Sequence, residues 1–146
     1  MLTCSFFGHS SCPDSIQSVL SQQIEALIKE HNIKNFLIGD LGDFDVIVLK
    51  TIKELSRIYP INYKVVLSYI PQSYNFFAKD SHSVYPEELT FVHKKYAIDY
   101  RNNYLINKSD YFITYITHSF GGAAKFAKKA KNKGKTVINI ADNFEL

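Results

Sequence analysis

The sequence predicts an α/β fold: a doubly wound parallel sheet of about five strands, in the order 3-2-1-4-5, with helices on both faces. Three observations carry this expectation. The hydrophobic period switches repeatedly between the spacing of strands and that of helices. The runs read as strands alternate with runs read as helices, which implies a parallel sheet covered on both faces by right-handed crossovers. At 146 residues, 46% of them apolar, the chain suits one ordinary core, so residues 1–146 are read as a single domain.

Leu2 to Phe7 is the first apolar run, and Gly8 ends it. After Pro13-Asp14-Ser15, the residues Ile16, Val19, Leu20, Ile24, Leu27 and Ile28 recur at helical spacing. Pro13 and Asp14 are good first-turn residues, so a helix is predicted from about Pro13 to His31. Asn35 to Ile38 is the second strand, stopped by Gly39. Phe44, Ile47, Val48, Ile52 and Leu55 mark a second amphipathic helix, with Asp43 as its expected N-cap. Tyr63 to Tyr69 is the third strand.

Periodicity then fails from Pro71 to Pro86, which reads as a long loop of a functional kind. A helix over about His93 to Lys108 follows, with Ala97, Ile98, Leu105 and Ile106 facing inward. Tyr111 to Ile116 is the fourth strand. Gly121-Gly122-Ala123-Ala124 opens the last helix, whose inner face is Ala123, Phe126, Ala127 and Ala130. Lys133-Gly134 ends it, and Thr136 to Ile140 is the fifth strand. No internal repeat or linker is present.

Composition narrows the function classes. The formal charge is +3, and Lys125, Lys128, Lys129, Lys131, Lys133 and Lys135 read as a solvated helix face, so nucleic acid is not an expected partner. Cys4 and Cys12 are the only cysteines and form no C-x-x-C pair, so reduced thiols are expected. The start lacks a basic leader, and no apolar run approaches a membrane span, so the expected location is the cytoplasm, with no membrane partner.

In the predicted strand order the sequence reverses between the first and fourth strands, and ligands bind at the carboxyl ends there. Gly8-His9-Ser10-Ser11 follows the first strand, and Thr117-His118-Ser119-Phe120-Gly121-Gly122 follows the fourth. Gly39-Asp40-Leu41-Gly42-Asp43 follows the neighbouring second strand. Gly121 and Gly122 allow close backbone approach, and the helix behind them offers free N–H groups to a phosphate. The alternative is a tight strand–helix turn with no ligand. His9 and His118 would face each other across the crevice, but nothing completes a metal-ligand set, so no metal and no cofactor are expected.

Arg101 falls on the inward side of its helix, four positions after Ala97. Arginine is rarely buried alone. It either forms a salt bridge, with Asp99 or Asp110, or reaches over the crevice to a phosphate or carboxylate, with Asn102 and Asp99 in support. Asp40, Asp43 and Asp45 cluster at the second glycine loop: one caps the helix, and another can bind ribose hydroxyls. A Mg²⁺ site is the weaker reading of that trio.

The order and spacing of several segments resemble the SLOG superfamily, the Rossmann-like group that includes YpsA-like proteins and the "lonely guy" phosphoribohydrolases. The carriers are Cys4-Ser5-Phe6-Phe7-Gly8-His9, Gly39-Asp40-Leu41-Gly42-Asp43-Phe44-Asp45, Ala97-Ile98-Asp99-Tyr100-Arg101-Asn102, and Ser109-Asp110-Tyr111 through Gly121-Gly122-Ala123. The likeness spans nearly the whole chain and is nearest to small bacterial SLOG proteins of unassigned activity. It implies a nucleotide-derived ligand in the crevice and, often, a homodimer. Arg101 matches an arginine of the phosphoribohydrolases. Two departures stand out: Ser10 replaces an arginine common after the Gly-His pair, and Ala123-Ala124-Lys125-Phe126-Ala127-Lys128 lacks the threonine and catalytic glutamate that follow the glycine loop of those enzymes.

The leading expectation is therefore a binding or sensor protein for a nucleotide or ADP-ribose-like molecule. Its ligand-contacting residues would be Gly8, His9, Ser10, Gly39, Asp40, Gly42, Arg101, Asn102, His118, Ser119, Gly121, Gly122 and Ala123. An alternative is an N-glycosidase acting on a nucleoside 5′-monophosphate, in which Arg101 is catalytic and Glu87, Glu88, Asp40 or Asp45 supplies the missing carboxylate. A third reading is a protein-interaction module using the aromatic 72–83 loop around Tyr74-Asn75-Phe76-Phe77.

Overall fold

Thr3 to Gly8 forms the strand from which the sheet is built, because it buries side chains on both faces, Cys4 and Phe6 on one and Ser5 and Phe7 on the other. In the computed structural model, which describes residues 2–69, 75–141 and 146, this strand is hydrogen-bonded on both sides. The elements are β1 (Thr3–Gly8), α1 (Gln17–His31), β2 (Asn35–Ile38), α2 (Asp43–Ser56), β3 (Asn62–Val66), β4 (Ser83–Val84), α3 (Ala97–Lys108), β5 (Tyr111–Tyr115), α4 (Gly122–Asn132) and β6 (Thr136–Asn139). Short 3₁₀ turns at Asp14–Ile16, Glu87–Phe91 and Lys94–Tyr96 precede or join the helices.

All pairings are parallel, and the order is β4-β3-β2-β1-β5-β6. The α/β class is as expected, with six strands rather than five. The added strand, β4, lies inside the 71–86 segment read as loop, where Ser83 and Val84 pair with Val65 and Val66. Two residues are too few for a period to register. The other five strands keep the expected neighbours.

Alternation along β1 divides the core. Cys4 and Phe6 join Phe36, Leu20, Ile24, Phe44, Val48 and Ile52 beneath α1 and α2. Phe7 points to the other face, where it packs with Phe112, Phe126, Leu105 and Ile106 beneath α3 and α4. Its ring stacks on Phe112 at 5.3 Å between centroids. Burying one such side chain stabilises the fold by about 1.5–3 kcal/mol.

Several boundaries differ from the expected ones. The α-helix begins at Gln17, after the 3₁₀ turn, and the His93–Lys108 segment is a 3₁₀ turn followed by α3 from Ala97. Val19 and Ile98 are exposed rather than inward. Gly42, not Asp43, occupies the cap position of α2, with φ at 91°, where glycine alone is unstrained. Asp43 Oδ2 instead accepts the Cys12 N–H at 3.4 Å. No helix among the described residues is long and apolar enough to cross a membrane.

Candidate functional site

The strand order reverses beside β1: its chain neighbour β2 lies on one side and β5, reached only after β3 and β4, lies on the other. The loops that leave β1 and β5 therefore diverge, and a cavity of about 640 Å³ opens between them. Gly8, His9 and Ser10 form one wall, and His118, Gly121, Gly122 and Ala123 form the opposite one. Gly39, Arg101 and Asn102 lie along it as well. Asp40, Gly42 and Ser119 do not line it.

The glycines serve different purposes. A Cβ on Gly8 would stand 2.2 Å from the Phe44 ring, so Gly8 lets the first turn of α2 close on β1. A Cβ on Gly42 would stand 2.6 Å from Ser10 Cα, and Asp43 N–H donates to Ser10 O at 2.7 Å. Gly42 thus joins two loops behind the cavity. Around Gly121 and Gly122, by contrast, a Cβ would meet nothing within 4 Å. Gly121 has φ at 93° and caps α4. The first intrahelical bond runs from Lys125 N–H to Gly121 O, which leaves the N–H groups of Gly122, Ala123 and Ala124 outside the helical ladder. Of these residues, Gly122 and Ala123 line the cavity, which places the positive end of the α4 dipole at its rim.

Arg101 is buried, 3% exposed, and its partner is Asp40, neither Asp99 nor Asp110. Nη1 donates to Asp40 Oδ1 at 2.6 Å and to Val66 O at 3.3 Å, and Nε donates to Asn102 Oδ1 at 2.9 Å. Asp40 Oδ2 accepts from Ser68 N–H and Oγ–H at 2.9 and 3.2 Å. Both Asp40 oxygens and two of the three guanidinium nitrogens are thus bonded, which helps to offset the desolvation of a buried pair. Asp99 instead lies 3.8 Å from Lys125, and Asp110 accepts the Thr3 N–H. Among the described residues, no atom is bonded to Arg101 Nη2, and no fully buried side-chain nitrogen or oxygen lacks a partner. Nη2 therefore opens to the cavity.

Asp45, in the first turn of α2, also lines the cavity and is 7% exposed. Its Oδ2 accepts the Leu41 N–H at 3.1 Å. Burial pushes its carboxyl up to about 7, against the opposing pull of Arg101 and the Leu41 N–H and with the aid of Asp40. A Cβ on Gly39 would lie 2.6 Å from Asp45 Oδ2 and 2.8 Å from Arg101 Nη1, so the two side chains converge over that glycine.

His9 and His118 do meet across the crevice, stacked face to face at 3.7 Å, and His118 stacks in turn on Phe120 at 3.9 Å. His9 Nε2 accepts the Thr117 N–H at 2.9 Å, and burial, then His118, lowers its pKa. Parallel rings do not converge their nitrogens on one ion, and no metal-binding group of three or more His, Cys, Asp or Glu exists among the described residues.

Glu87 and Glu88 sit on the 3₁₀ turn after β4 and do not line the cavity. Of the aromatic loop, residues 72–74 lie outside the described residues, and Phe77 is buried in the core with Phe76 edge-on against it. Leu41, Ile98 and Phe120 ring the cavity mouth and are 38–70% exposed. Their sequence signal was weak: an aromatic within a glycine loop, and an apolar residue between two aspartate-glycine steps. Compared with known proteins, the chain matches no family model, and no curated protein matches it.

Proposed function

We propose that the chain binds a nucleotide or ADP-ribose-like molecule in the crevice between β1 and β5, as the SLOG-like segments of its sequence imply. The observation that supports this best is the α4 N-terminus. Free N–H groups at Gly122 and Ala123, with open space above both glycines, meet a cavity large enough for a mononucleotide. Exposed Phe120, at the end of the His9–His118 stack, offers a flat apolar surface at the mouth. Arg101 contributes the open NH₂ of Nη2 rather than a free charge, because Asp40 neutralises it.

The test is a thermal-melt panel of nucleoside mono- and diphosphates and ADP-ribose. A ligand at 100 times its Kd raises stability by about 2.7 kcal/mol. Gly122→Asp, which fits sterically, places a carboxylate where the phosphate sits and is expected to abolish the shift. A full panel without a shift contradicts the reading.

The second reading, an N-glycosidase, is favoured by one observation: Asp45 brings a carboxyl with a pKa near neutrality into the cavity, where the glutamate of the usual motif is missing. Release of free base from a nucleoside 5′-monophosphate, lost in Asp45→Asn, would support it. No release above background at high protein concentration removes it.

A further inference from the structure

Three polar atoms at the floor of the cavity have no partner among the described residues: Arg101 Nη2, Asn102 Nδ2 and Asp45 Oδ1. They belong to side chains that are more than nine-tenths buried, and all three residues line the cavity. Asp45 and Arg101 approach the same point over Gly39 without forming an ion pair, as a Cβ there would lie 2.6 and 2.8 Å from them. The atoms that meet there are the engaged Asp45 Oδ2 and Arg101 Nη1, so Gly39 lets the two side chains close over the backbone, while Asp45 Oδ1 and Arg101 Nη2 keep no partner among the described residues.

A phosphate does not suit this floor of the cavity. Asp40 already balances the Arg101 charge, and Asp45 adds a carboxyl whose ionised form repels an anion. A hydroxyl fits, because it donates to a carboxylate while accepting from a guanidinium N–H. With the carboxyl held near neutrality, either protonation state of Asp45 pairs with a hydroxyl.

We propose that Asp45 is a specificity-determining residue, which with Arg101 Nη2 binds the hydroxyls of the ligand's ribose at the floor of the cavity, opposite the phosphate on α4. The cavity then has two poles. The α4 N–H groups hold the anion, and the Asp45–Arg101 pair reads the sugar. Of the aspartate trio, this assigns the ribose role to Asp45, while Asp40 fixes Arg101 and Asp43 ties the α2 start to Cys12. The inference rests on the nucleotide reading above.

The experiment compares, by calorimetric titration, each ribonucleotide that shifts the melt, ADP-ribose included, with its 2′-deoxy and, for monophosphates, 2′,3′-dideoxy counterparts. The ribo form is expected to bind at least about tenfold more tightly, since a site built for a hydroxyl rejects the analogue that lacks it. Asp45→Ala should remove that preference while leaving the phosphate dependence seen with Gly122→Asp. The wild-type comparison needs no variant, so it decides even if Asp45→Ala fails to fold. Equal affinity of ribo and deoxy forms overturns the sugar assignment and leaves the nucleotide reading standing. A preference that follows the base alone also overturns it. Absence of binding by every nucleotide overturns both.

Discussion

Asp45 and Arg101 converge over Gly39, yet burial acts on them in different ways. The folded state holds a proton on Asp45 up to about pH 7, whereas the unfolded chain releases it near 3.8. Between those values the unfolded state binds fewer protons, so this group's contribution to stability falls as pH rises, by up to about 1.4 kcal/mol per unit. Above about 7 it is constant. Asp45→Asn should therefore gain on the wild type in melts from pH 4.5 to 7.5. A difference that is flat across that range contradicts the account. Arg101→Met should cost about 3 kcal/mol or more, because it leaves Asp40 buried with only Ser68 to satisfy it. Adding Asp40→Asn should recover part of that loss in chemical denaturation, and additive losses would argue against coupling. The sequence made half of this visible. An arginine on an otherwise apolar helix face signals a buried partner, but Asp40 lies 61 residues earlier and becomes adjacent only through the pairing of β1 with β2.

At the scale of elements, the two glycines of the α4 loop separate cleanly. Gly121 has φ at 93°, so Gly121→Ala should destabilise by about 1–2 kcal/mol, while Gly122→Ala, unstrained and facing open space, should stay within about 0.5 kcal/mol. Equal losses in the two variants would mean that the turn is held by something other than backbone conformation. The helices and five of the strands were legible because each repeats its period over several residues. β4 was not, because two residues carry no period and its pairing depends on β3. The cap of α2 was misread for a similar reason. Asp43 has the composition of an N-cap, but the close approach of Ser10 demands glycine at the cap itself and turns Asp43 toward Cys12.

Across the whole molecule, the parallel sheet alone places the cavity. Reversal of strand order beside β1 sends α2 to one face and α4 to the other, and the loops between them cannot close. Strand order in turn follows from the alternation of strands with helices, which is why the position of the site could be read before its contents. Its contents were read less completely. The glycines of the first two loops serve packing, Gly8 against Phe44 and Gly42 against Ser10, and those at α4 stand open. The central claim is that the open α4 N-terminus holds the phosphate of a nucleotide. Amide NMR during titration with a binding ribonucleotide tests it most directly. The account expects the largest shifts at the Gly122 and Ala123 N–H groups, with smaller ones at Gly39 and Arg101. Saturable binding that leaves the Gly122 and Ala123 amides unmoved would contradict it.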